Sequence, residues 1–223
     1  VFDDITLDYS AFASALIEQE MTSSGGVIKG TSGADVIVGT ENGETILAYD
    51  GANQVSAKGG DDFIRGGSEN DKIDGGPGND IIDGSYGADE IRGGTGDDVI
   101  FVEDNTAIYH FDRGDGRDVI LGAQGYPSAQ EKIIFGVGIS ASDLTFSFEK
   151  IDAKKWTNLY PYKASTYAWN DTQYGLRVNI NGGLDSLLLI GESTYEVGGF
   201  GQISFADGSS LSRGDILNAL RTP

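Results

Sequence analysis

The 223 residues include no cysteine and a single histidine, His110. Without cysteine there can be no disulfide framework, no thiolate metal site and no cysteine nucleophile, which suits a chain that takes its stability from a metal. The one histidine leaves softer transition metals few ligands to prefer. It lies in the apparent strand Ile108 to Phe111 with no serine motif beside it, so nothing supports nucleophilic hydrolysis. No apolar run approaches the roughly 18 residues of a membrane span, and Val1 begins no signal peptide. Basic residues are scarce, since 15 Lys and Arg face 35 Asp and Glu, for a formal charge of −20. Nucleic acid and anionic membrane surfaces are poor partners for such a chain unless a cation bridges them.

What the chain has instead is a phased repeat. From Gly30 to Phe101 one nine-residue unit is written eight times without a gap: GTSGADVIV, GTENGETIL, AYDGANQVS, AKGGDDFIR, GGSENDKID, GGPGNDIID, GSYGADEIR and GGTGDDVIF. The eighth position is always aliphatic: Ile37, Ile46, Val55, Ile64, Ile73, Ile82, Ile91 and Ile100. Positions seven and nine accept Lys72, Glu90, Arg65, Asp74 and Asp83 as readily as Val36 or Phe101. One inward side chain per copy with free flanks describes a short strand, because alternate residues of a strand face opposite sides. The other six residues are rich in glycine and read as a turn. Two copies then complete one coil, copy n lies beside copy n+2, and the chain winds into a flattened parallel solenoid with a file of turns along each edge. A flexible Gly/Asp linker would not keep eight aliphatics in phase.

The turns carry the chemistry. Position six holds Asp35, Asp62, Asp71, Asp80, Asp89 and Asp98, with Glu44 and Asn53 in copies two and three. Carboxylates stacked about 5 Å apart repel one another unless a cation sits between them. Ca²⁺ suits such a site, being a hard ion that takes six to eight oxygens in flexible geometry, with bare backbone carbonyls available beside each Asp. Residues 30 to 101 hold 15 acids against 4 bases, so the repeats alone contribute −11. Paired carboxylates of the kind used in glycoside hydrolysis are abundant, but every prominent pair belongs to this register.

With its pattern GGxGxDxUx met closely by GGPGNDIID (75 to 83) and GGTGDDVIF (93 to 101), the chain resembles the RTX family, the calcium-binding β-roll of proteins exported by bacterial type I secretion. The resemblance implies several bound Ca²⁺ ions and, copy by copy, these candidate ligands: Gly30, Ser32 and Asp35; Gly59 and Asp62; Gly66, Ser68 and Asp71; Gly75, Pro77 and Asp80; Gly84, Tyr86 and Asp89; Gly93, Thr95 and Asp98. Copy nine, RGDGRDVIL (113 to 121), adds Asp118, set to close a site with Asp89 or Asp98. Strong sites are expected between copies four and six, five and seven, and six and eight; those touching Glu44 or Asn53 are expected to be weaker or differently liganded. Because type I substrates lack a cleaved N-terminal signal, the start at Val1 fits a secreted or cell-surface protein.

Around the roll of residues 30 to 121, two flanking regions are expected. Residues 1 to 29 form a capping helix (8 to 21) and linker, with Phe12 and Leu16 packing near Val36 and Ile37. Residues 122 to 223 form a small antiparallel β extension with strands at 132 to 135, 144 to 148, 176 to 180, 186 to 190 and 202 to 205. The alternation of Leu144, Phe146 and Phe148 and of Leu176, Val178 and Ile180 marks half-buried strands. Ser212 then caps a last helix, Arg213 to Leu220, with Ile216, Leu217 and Leu220 facing in. The signatures FGxGIxxxDL (135 to 144) and ISFADGSSL (203 to 211) also resemble the extension that follows RTX rolls. The fold class is therefore all-β: a parallel β-roll, an antiparallel extension and short capping helices at both ends.

Two strings stand outside this pattern. Arg113, Gly114 and Asp115 spell an integrin-binding tripeptide, which inside a calcium repeat reads as the repeat itself. Residues 150 to 175 form an insertion with Trp156, Tyr160, Tyr162, Tyr167, Trp169 and Tyr174. Such flat amphipathic rings serve either as a surface for a glycan or peptide ligand or as satellite core over the extension. The resemblance thus implies a non-catalytic calcium-binding module of a larger secreted polypeptide, such as an adhesin, surface-layer protein or toxin, with a calcium-stiffened ligand-binding module as the alternative.

Overall fold

The computed structural model describes residues 26–102, 106–121, 131–151, 173–180, 185–190 and 202–221. The expected helix over 8 to 21 and the rings of Trp156, Tyr160, Tyr162, Tyr167 and Trp169 lie outside the described residues. In chain order the strands are β1 (Val27–Lys29), β2 (Val36–Val38), β3 (Thr45–Tyr49), β4 (Gln54–Ser56), β5 (Phe63–Gly67), β6 (Lys72–Pro77), β7 (Ile81–Ser85), β8 (Glu90–Thr95) and β9 (Val99–Val102). They continue with β10 (Ile108–Phe111), β11 (Arg117–Leu121), β12 (Lys132–Phe135), β13 (Leu144–Ile151), β14 (Gln173–Ile180), β15 (Ser186–Ile190), β16 (Gln202–Phe205) and β17 (Ser210–Ser212). Odd-numbered strands β1 to β11 join one sheet, in the order β1-β3-β5-β7-β9-β11-β15-β14-β13; the even-numbered ones join the other, β17-β16-β12-β10-β8-β6-β4-β2. This is the all-β, mostly parallel solenoid that the nine-residue phase predicts.

The invariant eighth position becomes two inner columns. Ile28, Ile46, Ile64, Ile82, Ile100, Ile120 and Leu189 are successive partners in one sheet. Ile37, Val55, Ile73, Ile91, Tyr109, Ile133 and Ile203 are the partners in the other. All are buried in a single apolar cluster between the sheets. Next to the second column the interior changes character. The column that carries Ala57, Gly75 and Gly93 continues into Phe111, Phe135 and Phe205, whose rings meet at 5.8 Å edge-on and 5.9 Å stacked. Where small residues end, aromatic rings fill the coil.

The solenoid runs further than the repeat. Antiparallel pairing holds where alternation called for it, with Leu144 opposite Ile180, Phe146 opposite Val178 and Phe148 opposite Leu176, and β14 is antiparallel to β15. But β12, β15 and β16 add in parallel to β10, β11 and β12. The extension therefore continues both faces of the roll before it turns back. The free-flank rule also fails toward this end: Val99, Phe101, Val119, Leu121, Leu188 and Ile190 form a second buried cluster from outward positions. Helix α1 (Arg213–Ala219) closes the described chain as expected. Ser212 and Asp215 form a reciprocal capping box, Ile216 is buried, and Leu217 and Leu220 pack against the core.

Positions two and four of the turn hold left-handed backbone. At position two this is true of Gly67, Gly76 and Gly94, and also of Tyr49 (φ 69), Lys58 (φ 81) and Ser85 (φ 63). For any residue but glycine that conformation costs about 1–2 kcal/mol. Lys58→Gly is accordingly expected to raise the unfolding free energy by roughly 0.5–1 kcal/mol, after the entropic cost of glycine is subtracted. Gly76→Ala should do the opposite, because a Cβ there would collide with the carbonyl oxygen of Lys58. Thermal unfolding followed by circular dichroism ranks the two, and a lower melting temperature for Lys58→Gly would contradict the assigned turn.

Candidate metal centre

Each position-six side chain turns inward at the mouth of its strand and is bound by the coil before it. Its Oδ1 accepts the backbone N–H of the position-six residue eighteen earlier: Asp62 from Glu44 at 2.7 Å, Asp71 from Asn53 at 2.8 Å, Asp80 from Asp62 at 2.8 Å, Asp89 from Asp71 at 2.9 Å and Asp98 from Asp80 at 2.7 Å. Copy nine joins the ladder through Asp118, which accepts from Asp98 at 3.1 Å across twenty residues. Its partner is therefore Asp98 and not Asp89. Along the opposite edge the place after Asp89 falls to Ala107, whose neighbour Ile108 donates to the Asp89 carbonyl.

The second carboxylate oxygen is where the copies differ. Oδ2 of Asp62, Asp71, Asp80 and Asp98 is buried with no hydrogen-bond partner. At Gly66, Gly75 and Gly93 the position-one residue leaves a gap beside the oxygen of Asp71, Asp80 and Asp98, whereas Ala57 stands in that place before Asp62. A Cβ on Gly66 would lie 2.5 Å from Asp71 Oδ2 and 2.8 Å from the Gly84 carbonyl oxygen, and one on Gly75 would collide with Asp80 Oδ2 and the Gly93 carbonyl. Carboxylate and carbonyl oxygens thus face one small space without a proton between them. Among the described residues no three acidic or histidine side chains converge, so a cation here would need mixed carboxylate and carbonyl oxygens. That donor set is hard and oxygen-only, as Ca²⁺ prefers.

The first copies are closed by their own side chains. Asp35 Oδ2 accepts from Thr31 N at 2.6 Å and Thr31 Oγ1 at 3.0 Å, and Glu44 is held in the same way by Thr40. Asn53 stays in register, accepting from Asp35 N at 2.9 Å while its amide donates to the Tyr49 carbonyl at 3.3 Å. The position-two threonines were the signal that these turns satisfy themselves, and sequence reasoning weighed only the acids. It also missed Glu131. Glu131-Lys132-Ile133-Ile134 repeats the D-x-U-x end of the unit after the phase has broken, and Glu131 is buried with Oε1 unpartnered and its carboxyl pushed up to about 8 by desolvation.

Other singled-out residues have structural roles. His110 Nε2 lies 3.1 Å from Glu90 Oε1, which also meets Lys72 Nζ at 3.2 Å, so the histidine belongs to a ladder of charges on the outer face. Asp115 of the Arg-Gly-Asp string is buried and accepts from Asp112 N at 2.6 Å.

The geometry defines a cation-binding β-solenoid. A family model for the RTX calcium-binding nonapeptide repeat (4 copies) matches residues 23–55, 47–82 and 74–104. Residues 23–104 therefore carry RTX calcium-binding repeats, and the bound ligands are Ca²⁺ ions. No curated protein matches the chain.

Burial raises the carboxyls of this ladder in the metal-free fold: Asp62 and Asp71 to about 6, Asp98 to about 7, Asp80 to about 8 and Asp118 to about 9. Desolvation is the largest cause in each. Against an unfolded value of about 3.9, the fold binds more protons than the unfolded chain, so its stability is fullest below about pH 4 and is lost as pH rises through 6 to 9. In EGTA, the β signal in circular dichroism is expected to be stronger at pH 5 than at pH 8. A metal-free signal that grows with pH would show that the ladder is not buried as described.

Proposed function

We propose that the chain is a calcium-folded, non-catalytic module of a secreted or cell-surface RTX protein, acting within an adhesin, surface-layer protein or toxin. The observation that carries this reading is the set of buried Oδ2 atoms without partners, two of which, on Asp71 and Asp80, share a glycine-sized gap with a carbonyl oxygen. The residues that would hold the ions are Asp62, Asp71, Asp80, Asp89, Asp98 and Asp118, with backbone carbonyls of Gly59, Gly66, Ser68, Gly75, Pro77, Gly84, Tyr86, Gly93 and Thr95. Gly30, Ser32 and Asp35 form a weaker site, because Thr31 already occupies the Asp35 carboxylate. Bound calcium supplies the positive charge that the ladder otherwise lacks.

The chain's own residues then act as a switch. When calcium is scarce, the ionised repeats repel and stay open, a state that suits passage through a narrow exporter; in millimolar external calcium they close coil upon coil. Among the described residues the lone histidine is engaged by Glu90 and the buried position-six acids belong to the ladder, which favours a structural role for both. The described residues include no helix long and apolar enough to cross a membrane.

Circular dichroism in EGTA followed by calcium addition at pH 7.5 is expected to show a steep gain of β structure. Full signal in EGTA at that pH would exclude coupled folding. Asp80→Ala removes both a ladder acceptor and a facing oxygen, whereas Asn53→Ala removes a neutral amide already bonded to Tyr49. The calcium midpoint should move at least fivefold further for Asp80→Ala, and equal midpoints would mean that the carboxylate oxygens are not ligands.

A further inference from the structure

On the outer surface of the odd-numbered sheet, Tyr49, Gly67 and Ser85 are successive partners in β3, β5 and β7. Tyr86 follows Ser85. The middle member has no side chain, so a cavity of about 270 Å³ opens between the two tyrosines, lined also by Leu47, Asp50, Arg65 and Ser68. Tyr49 is 45% exposed and Tyr86 59%. Two strand spacings, about 9.6 Å, separate the Tyr49 coil from the Tyr86 coil. That interval admits one ring in van der Waals contact on both sides, at about 4 Å each.

Tyr49 shares its left-handed backbone with Lys58 and Ser85 at the same turn position, so that conformation belongs to the repeat; what distinguishes Tyr49 is its exposed ring beside the side-chain-free Gly67. The rim is polar. Ser68 Oγ donates to Asp50 Oδ1 at 3.1 Å, while Arg65 reaches Ser85 Oγ at 3.4 Å and Asp83 at 3.6 Å. Two exposed tyrosines line the slot, together with hydroxyl, carboxylate and guanidinium groups.

We propose that this slot binds one neutral pyranose unit of a glycan. A sugar ring offers C–H faces to the tyrosines and hydroxyls in its plane to Asp50, Ser68 and Arg65, a pairing of apolar faces with few polar groups that small-molecule sites use. The cavity lies at the small end of ligand sites, roughly 300–1,000 Å³, and so takes one unit rather than an extended chain. An anionic sugar is disfavoured by Asp50, by the Asp83 beside Arg65 and by the −20 formal charge of the chain. The site also depends on the reading above, since Gly66, Ser68 and Tyr86 offer their carbonyls to the proposed calcium sites. The slot should therefore exist only in the calcium-loaded fold.

The test is an array of neutral and anionic glycans probed with the full chain in 5 mM calcium, followed by titration with free glucose, galactose and mannose. At least one neutral pyranose is expected to bind, and binding should fall at least tenfold in Tyr49→Gly and in Tyr86→Ala. Tyr49→Gly relieves left-handed backbone, so its calcium-induced dichroism and melting temperature should equal or exceed those of the parent. No neutral sugar bound by the calcium-folded chain would overturn the proposal, as would binding to anionic glycans alone or binding that both variants retain. If the sugar binds in EGTA, the slot stands and the calcium-folded module fails; if calcium folds the chain without sugar binding, the reverse holds.

Discussion

From Asp62 onward the roll depends on carboxylates whose two oxygens do different work. One oxygen of Asp62, Asp71, Asp80 and Asp98 accepts the backbone N–H of the previous coil, and so fixes how neighbouring coils align. The other is buried without a hydrogen-bond partner, and at Asp71 and Asp80 it shares a glycine-sized gap with a carbonyl oxygen. A buried anion without a partner is costly. Register and ion binding thus rest on the same side chain, which is why closure of the coil and capture of calcium form one equilibrium.

Beyond the repeats a second kind of cohesion takes over. Phe111, Phe135 and Phe205 stand in the column that holds Ala57, Gly75 and Gly93 earlier in the chain. Hydrocarbon fills the interior there, and on the outer face Phe101, Leu121 and Ile190 continue a column that holds Arg65 and Asp83 in earlier coils. One column of the solenoid therefore passes from residues chosen for the absence of a side chain to residues chosen for its bulk. Ala107, in the place of an acid, marks the passage on one edge; Asp118 carries the ladder one coil further on the other.

Much of this was legible in the residues. The eighth-position aliphatics placed both inner columns, and the position-six acids placed the ladder, because an unbroken period leaves little freedom in how coils stack. Reading failed where the period broke. Glu131 carries the same local unit as Asp89 but follows a stretch of sequence that breaks the nine-residue phase, so counting by nines passed over it. The parallel addition of β12 and β16 was hidden for the same reason: alternation reveals which face is dry and not which neighbour a strand chooses. Thr31 and Thr40 were overlooked because attention to charge alone ignores the hydroxyls and amides that can satisfy it.

The ladder spans eighteen residues, and its two edges are not equivalent. Removal of a whole coil would rejoin like with like and leave a shorter roll. Removal of a single nonapeptide would carry every later strand to the opposite sheet, exchanging the Asp80 edge with the Asp71 edge and moving the phenylalanine column across the interior. A longer coil is tolerated where its extra residues stay in the turn, as between Asp98 and Asp118, which are twenty residues apart while Ile100 and Ile120 remain paired. Within residues 30 to 101 the two edges therefore keep their identity only when repeats are added or removed in pairs.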